Sequence, residues 1–168
     1  MSAQPASNIN INAITAENLS DDALIPLFTL SQGVFSSPGD DQRPSHRLEA
    51  WRGSLQQQGA ILLYATSSDS PRKPLGLLFI QPRTAPEIGH SLPHIWIAAV
   101  DPESRGQGIF ALLMQRAVKH VRELEEKEMT VCTYPARFKK MYRILQQTGW
   151  KEVAWRENGD QVLMKLDI

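Results

Sequence analysis

The stretch Ile95-Trp96-Ile97-Ala98-Ala99-Val100-Asp101-Pro102-Glu103-Ser104-Arg105-Gly106-Gln107-Gly108-Ile109-Phe110 decides the fold. It begins as an apolar run ending at Val100, the pattern of a buried strand. It ends by opening an amphipathic helix, predicted from Gly108 to about residue 127. Phe110, Leu113, Met114, Ala117, Val121 and Leu124 fall on one stripe of that helix, and Gln115, Arg116, Lys119, Arg122 and Glu123 fall off it. Between strand and helix stand Gly106 and Gly108, which can take backbone angles closed to other residues and let a ligand approach the main chain. The first N–H groups of a helix have no internal partners, and with the helix dipole they form an anion site. Arg105 adds a cation beside it.

Toward the C-terminus, a strand is predicted over residues 129–134. A helix follows over 137–147, with Phe138, Met141, Tyr142 and Leu145 on one face and Gly149 as its stop. Strands over 150–155 and 161–166 are joined at Asn158-Gly159, a strong hairpin signal. Toward the N-terminus, residues 81–93 carry three prolines and one glycine and read as a long loop. Before it, strands over 60–66 and 75–80 form a hairpin about a polar turn at 67–74. Ser20 caps a helix over 20–34, with Asp21 and Asp22 in its first turn and a kink or break expected at Pro26. Residues 36–43 read as loop. Ser45 caps a second helix, with Leu48, Trp51 and Leu55 on one face and Gly59 at its end.

Residues 1–10 read as a flexible polar tail, and 11–168 as a single domain. The strand–helix–strand unit around Gly108 should pair in parallel by a right-handed crossover, and the outer strands should be antiparallel. The expected fold is α/β: a mixed, mostly antiparallel sheet with a central parallel pair and helices on both faces.

Composition narrows the function. The 168 residues suit one domain, and 18 Lys plus Arg balance 18 Asp plus Glu, where a nucleic-acid binder would show a basic excess. No nucleic-acid partner is expected. No apolar run is long enough to span a bilayer, so no membrane association is expected. The single cysteine, Cys132, rules out a disulfide framework within the chain and points to a reducing, cytoplasmic setting. The histidines show no metal-ligand spacing, so no metal is expected.

The segment around Arg105 resembles the cofactor signature of the Gcn5-related N-acetyltransferase (GNAT) superfamily: Arg or Gln, two residues, Gly, one residue, then Gly or Ala. Arg105, Gly108 and Phe110 occupy the three marked positions. The preceding Ala99-Val100-Asp101-Pro102 resembles the family's strand end and loop, and Gly149-Trp150 stands where Gly-Phe is common. The resemblance runs from about Leu75 to the C-terminus. It implies acetyl-CoA as acyl donor and direct attack of an amine on the thioester, the acceptor being a small-molecule or peptide amine. It implies that the backbone amides of Gln107, Gly108, Ile109 and Phe110, with Arg105 and Gly106, hold the pyrophosphate. Ala98, Ala99 and Val100 would line the pantetheine arm and thioester, and an amide near Ala99 or Val100 would receive the acyl oxygen. This strand would splay from residues 131–134 to admit the cofactor.

Two positions depart from the pattern. Phe110 replaces a small residue, and Leu145 stands where a tyrosine often protonates the leaving thiolate. Tyr134 and Tyr142 are the candidates for that role, although a tyrosine so placed is more often a packing residue. His94 lies where histone-type members carry a glutamate base. Histidine titrates in the right range, and by the two-residue strand period His94 shares a face with Trp96 and Ala98. Glu87 and His90 are further candidates, and His94 is alternatively just the first residue of its strand. Cys132 reads as a small buried hydrophobe. Trp51, Tyr64, Phe79 and Trp96 are pocket or core, while Arg137, Lys139 and Lys140 are phosphate contacts or a solvated face.

Rival readings are a non-catalytic acyl-CoA sensor and an enzyme using longer acyl chains. A dinucleotide fold fits Gly106, Gly108 and Ala111, but five residues separate Val100 from Gly106 and the next strand lacks an acidic end. A mononucleotide P-loop would need Gly-Lys-Ser/Thr, which is absent.

Overall fold

The computed structural model describes residues 8–35 and 43–168, so most of the predicted tail and of the loop over 36–43 lies outside the described residues. In chain order the elements are β1 (Ile9–Ile14), α1 (Asp21–Val34), α2 (Leu48–Leu55), β2 (Ile61–Ser67), β3 (Ser70–Thr84), β4 (Ser91–Val100), α3 (Ile109–Glu123), β5 (Glu128–Thr133), α4 (Lys139–Gln147), β6 (Lys151–Arg156) and β7 (Gln161–Asp167). The strands form one sheet in the order β1-β2-β3-β4-β5-β7-β6. Only β4 and β5 pair in parallel, with α3 as the crossover. Helices cover both faces, as the expected fold requires. Leu24 and Leu27 of α1 and Trp51 and Leu55 of α2 pack with Leu62, Leu77 and Phe79 on one face. The α3 stripe Ile109, Leu113, Ala117 and Val121, with Leu145 of α4, packs with Leu78, Ile80, Met129 and Val162 on the other. No helix among the described residues is long and apolar enough to cross a membrane.

Gly76 explains how closely α3 seats on the sheet. A Cβ there would stand 2.9 Å from Ile109 Cγ2 and 3.1 Å from the Ala99 carbonyl oxygen, so the missing side chain is the room the first turn of α3 occupies.

Several local expectations are corrected. Ile9 and Asn10 belong to an edge strand, pairing with Ser67 and Thr66, rather than to a tail. Ile9, Ile11 and Ala13 pack on the α3 side while the asparagines between them do not, an alternation that marks a half-buried strand. The predicted loop over 81–93 shrinks to residues 85–90, because β3 and β4 extend as a two-stranded ribbon in which Pro82 faces Pro93. The prolines are tolerated because β2 pairing stops at Ile80 and β5 pairing starts at His94, so no further strand needs their missing N–H. Pro26 does not break α1, where its missing N–H forfeits the single bond to the carbonyl of Asp22. Ser20 does cap α1, accepting from the Ala23 N–H at 3.3 Å. Ser45 does not cap α2. It lies in a short 3-10 turn, and its carbonyl accepts from Trp51 Nε1 and Gln32 Nε2. The hairpin between β6 and β7 forms, its turn using positive φ at Glu157, Asn158 and Gly159.

Candidate active site

β4 and β5 pair at only two positions, His94 with Thr130 and Ile95 with Val131. The next residue of β4, Trp96, is a β-bulge: Phe79 of β3 pairs with Ile97 and Ile80 with Ile95, leaving Trp96 unopposed. A bulge bends its strand and sharpens its twist. Pairing with β5 ends at this point, so β4 from Trp96 onward diverges from Cys132 and Thr133. The gap is a cavity of about 540 Å³, walled by Ala98 and Trp96 on one side and by Val131, Thr133 and Tyr134 on the other. Phe110 and Met114 of α3 and Met141 and Leu145 of α4 also face it. Phe35 after α1 and Phe138 before α4, both in its lining, meet edge to face at 5.8 Å.

The bulge also overturns one expectation. His94, Trp96 and Ala98 do not share a face: Trp96 packs with the α1–α2 core and Ala98 with the α3–α4 core, because the extra residue resets the alternation. Hydrogen bonding then fixes where the β4 amides point. Asp101 N–H donates to the Leu75 carbonyl at 2.9 Å, so Asp101 and, two residues back, Ala99 turn their amides to β3. The amides of Val100 and Ala98 therefore face the gap. Ala99 is turned away from it, its side chain buried among the α1–α2 core residues.

At the far end of β4 the chain reaches the start of α3. Gly106 and Gly108 have φ of +85° and +75°, and a Cβ on either would meet no atom within 4 Å. Gly108 is the helix N-cap in a left-handed conformation. The first helical bond runs from the Leu112 N–H to the Gly108 carbonyl. The amides of Gln107, Gly108, Ile109 and Phe110 have no hydrogen-bond partner among the described residues, and Arg105, Gly106, Gln107 and Gly108 are exposed. The Ile109 side chain is buried in the core while its amide heads the helix, and Phe110 turns its ring to the cavity. Unpaired donors, an open cradle and a helix dipole match a diphosphate in charge and in hydrogen bonding.

His94 is 2% exposed and held at both nitrogens. Arg83 Nη1 lies 3.2 Å from Nε2, and Thr130 Oγ1 lies 2.8 Å from Nδ1. A guanidinium only donates, so Nε2 accepts and the proton sits on Nδ1, which donates to Thr130. Burial, reinforced by the positive charges of Arg83 and Arg156, pushes the His94 pKa down to about 3. The imidazole is therefore neutral and a weak base.

A model of the acetyltransferase (GNAT) family matches residues 26–149. The chain belongs to this family. Membership makes it an acetyltransferase with acetyl-coenzyme A as acyl donor. Solved GNAT-fold structures superpose over nearly the whole chain. The NatC complex bound to Gag peptide and CoA matches with a TM-score of 0.73 and 16% identity, covering 96% of this chain and 99% of that one. The PaiA N-acetyltransferase of Thermoplasma acidophilum in complex with coenzyme A gives 0.70 and 13%, covering 95% and 99%. The ribosomal-protein-S18-alanine N-acetyltransferase of Escherichia coli gives 0.67 and 12%, covering 95% and 94%. At these identities the likeness is one of fold. No curated protein matches the chain by sequence.

The remaining sequence candidates divide by position. Tyr134, just after β5, lines the cavity, and its hydroxyl accepts from Gln161 Nε2 at 3.3 Å. Burial, together with a hydrogen bond to Glu157, pushes its pKa up. Tyr142 does not line the cavity: its hydroxyl donates to Glu152 of β6, and its ring stacks edge-on against Trp155. Glu87 lies outside the cavity lining, and its pairing with Arg156 lowers its pKa to about 2. His90 is exposed on the loop at 85–90. Cys132 is half-buried, and burial pushes its thiol up, so it stays protonated. Trp51 and Phe79 are fully buried core with ring centroids 5.2 Å apart, Tyr64 packs beside them, and Trp96 reaches the cavity. Arg137 lines the cavity, whereas Lys139 and Lys140 are exposed. Several lining residues, Arg83 and Glu157 among them, were absent from the sequence reading. Arg83 was hidden in the proline-rich stretch taken for a loop, and Glu157 in the hairpin turn.

Proposed function

We propose that this acetyltransferase acetylates an amine, which attacks the thioester of acetyl-CoA directly in the gap between β4 and β5. The observation that carries this reading is the end of parallel pairing at Ile95 and Val131, in line with the unpartnered amides at the head of α3. A gap through a sheet lets an acceptor approach from one side and a thioester lie along β4 from the other. The amides of Gln107, Gly108, Ile109 and Phe110, with Arg105 and Gly106, bind the diphosphate. The gap-facing amides of Ala98 and Val100 donate to the acyl oxygen as it gains charge. The thioester brings an activated acyl carbon and a sulfur that leaves readily.

Tyr134 keeps its proton at neutral pH and faces the cavity, which fits it to protonate the departing sulfur. An amine like that of lysine is about 99.9% protonated at pH 7. A neutral attacking amine therefore has to give up a proton before or as it adds to the acyl carbon. Among the described residues, Arg43, Arg83 and Arg137 face the cavity with one carboxylate, Glu157. The acceptor is a small-molecule or peptide amine. Acceptors of both the NatC complex and the S18-alanine enzyme support an amine on a peptide.

The test is isothermal titration with acetyl-CoA, followed by an amine-library screen for release of free thiol. Binding with amine-dependent thiol release is expected. Binding without release on any amine replaces the catalytic reading with an acyl-CoA sensor.

A further inference from the structure

Arg83 faces the cavity but has no part in the chemistry assigned above. It stands near the end of β3, diagonally across the ladder from His94, and Nη1 reaches His94 Nε2 at 3.2 Å and Cys132 Sγ at 3.9 Å. Both partners are uncharged. Glu87, the acid of the adjoining loop, is engaged by Arg156 through Nε at 2.9 Å and through Nη2. Among the described residues no carboxylate lies within ion-pair distance of Arg83. Among the described residues the guanidinium is therefore hydrogen-bonded only to neutral acceptors, its charge meeting Glu87 through space without an ion pair, and donors are left over.

Its position excludes the cofactor's diphosphate as the counter-ion. Six residues of β4 separate His94 from Val100, roughly 20 Å at a strand rise of about 3.3 Å per residue, and the α3 amides lie beyond Val100. Arg83 thus marks the opposite end of the cavity, where an acceptor would enter. A planar guanidinium with free donors matches a carboxylate in a two-point pair.

We propose that Arg83, held by the hydrogen-bonded chain through His94 to Thr130, binds a carboxylate carried by the acceptor, so that the enzyme acetylates amino acids or short peptides with a free carboxylate near the amine. The proposal rests on the acetyl-transfer reading and adds the acceptor class to it. His94 then serves as a positioning residue, whose neutral Nε2 orients the guanidinium that selects the substrate.

The experiment measures thiol release from acetyl-CoA with matched acceptors: free amino acids, their carboxamides, dipeptides and dipeptide amides. The free acids are expected to exceed their amides in kcat/KM by about 100-fold, the scale of one charge-assisted pair. Arg83→Ala and Arg83→Gln, checked for folding by thermal melts, should erase that ratio through the acceptor KM, leaving the amides within about threefold and the acetyl-CoA KM unchanged. Amino acids favoured over dipeptides would put the carboxylate on the carbon bearing the amine, and the reverse would put it at a peptide terminus. His94→Gln should raise the acceptor KM and leave the pH profile in place. Equal rates for acids and amides, a ratio that survives Arg83→Ala, or no turnover of either series by protein that binds acetyl-CoA overturns the proposal. Failure to bind acetyl-CoA counts instead against acetyl transfer itself.

Discussion

Replacing Gly108 by valine separates the two demands made on that residue. Its φ of +75° and ψ of 15° lie in the left-handed region, and no atom stands within 4 Å of where a Cβ would be. The cost to the folded protein is therefore backbone strain without a clash, about 1–2 kcal/mol. In a domain of this size that lowers Tm by roughly 2–8 °C, so Gly108→Val should still fold. Ligand binding should suffer more. The isopropyl group projects into the open cradle, and any relaxation toward negative φ swings the amides of Gly108, Ile109 and Phe110 off their common target. Losing two charge-assisted bonds at about 1.5 kcal/mol each weakens binding by about 150-fold or more. Gly108→Asn is the control for strain, since asparagine tolerates left-handed angles. It should melt close to the parent yet bind acetyl-CoA poorly, because its side chain still fills the cradle. Differential scanning fluorimetry and isothermal titration read the two effects separately. A folded Gly108→Val protein that binds acetyl-CoA as tightly as the parent would refute the diphosphate cradle.

Gly76→Val tests the seating of α3: contacts of 2.9 Å to Ile109 Cγ2 and 3.1 Å to the Ala99 carbonyl require a shift, so stability should fall by about 1–3 kcal/mol and acetyl-CoA binding should weaken, measured by urea melts and titration. For His94, the folded pKa of about 3 lies below the ordinary value of about 6.5. The unfolded chain takes up the proton first, so His94 contributes stability that is present above about pH 6.5 and lost as pH falls toward 3. His94→Gln should flatten that part of the stability curve in denaturant melts, and kcat/KM should show no inflection from His94 between pH 5 and 8. Tyr134→Phe should lower kcat by about 10-fold or more if the phenol protonates the leaving sulfur. Tyr142→Phe, which removes only a surface bond to Glu152, should change kcat by less than about twofold and stability by less than about 1 kcal/mol. Single-turnover rates compare the two.

The parts of the site written in local sequence were legible, and the parts written in register were not. The α3 stripe follows from a 3.6-residue period, and the cradle follows from two glycines placed just before it; neither depends on a distant segment. The edge strand β1 was also legible, since Ile9-Asn10-Ile11-Asn12 alternates as a half-buried strand does, but its place in the polar N-terminal segment led to its assignment to a tail. Arg83 was out of reach for a different cause. Pro82, Pro86 and Pro93 signal a loop, and Pro86 does lie in one; Pro82 and Pro93 instead face each other in a ribbon that β2 and β5 stop short of, where proline is harmless. For α4, the period gives the width of the apolar stripe but not which edge meets the gap. Phe138, Met141 and Leu145 face the cavity, while Tyr142, on the same stripe, turns to β6. The bulge at Trp96 carries no residue signature, because it is a property of how β3 counts against β4. Yet that one extra residue bends β4 off β5, sends Trp96 and Ala98 to opposite cores, and leaves the amides of Ala98 and Val100 facing open space. The site thus depends on two breaks in regularity, a left-handed glycine and a bulge, and only the first is spelled by the residue that makes it.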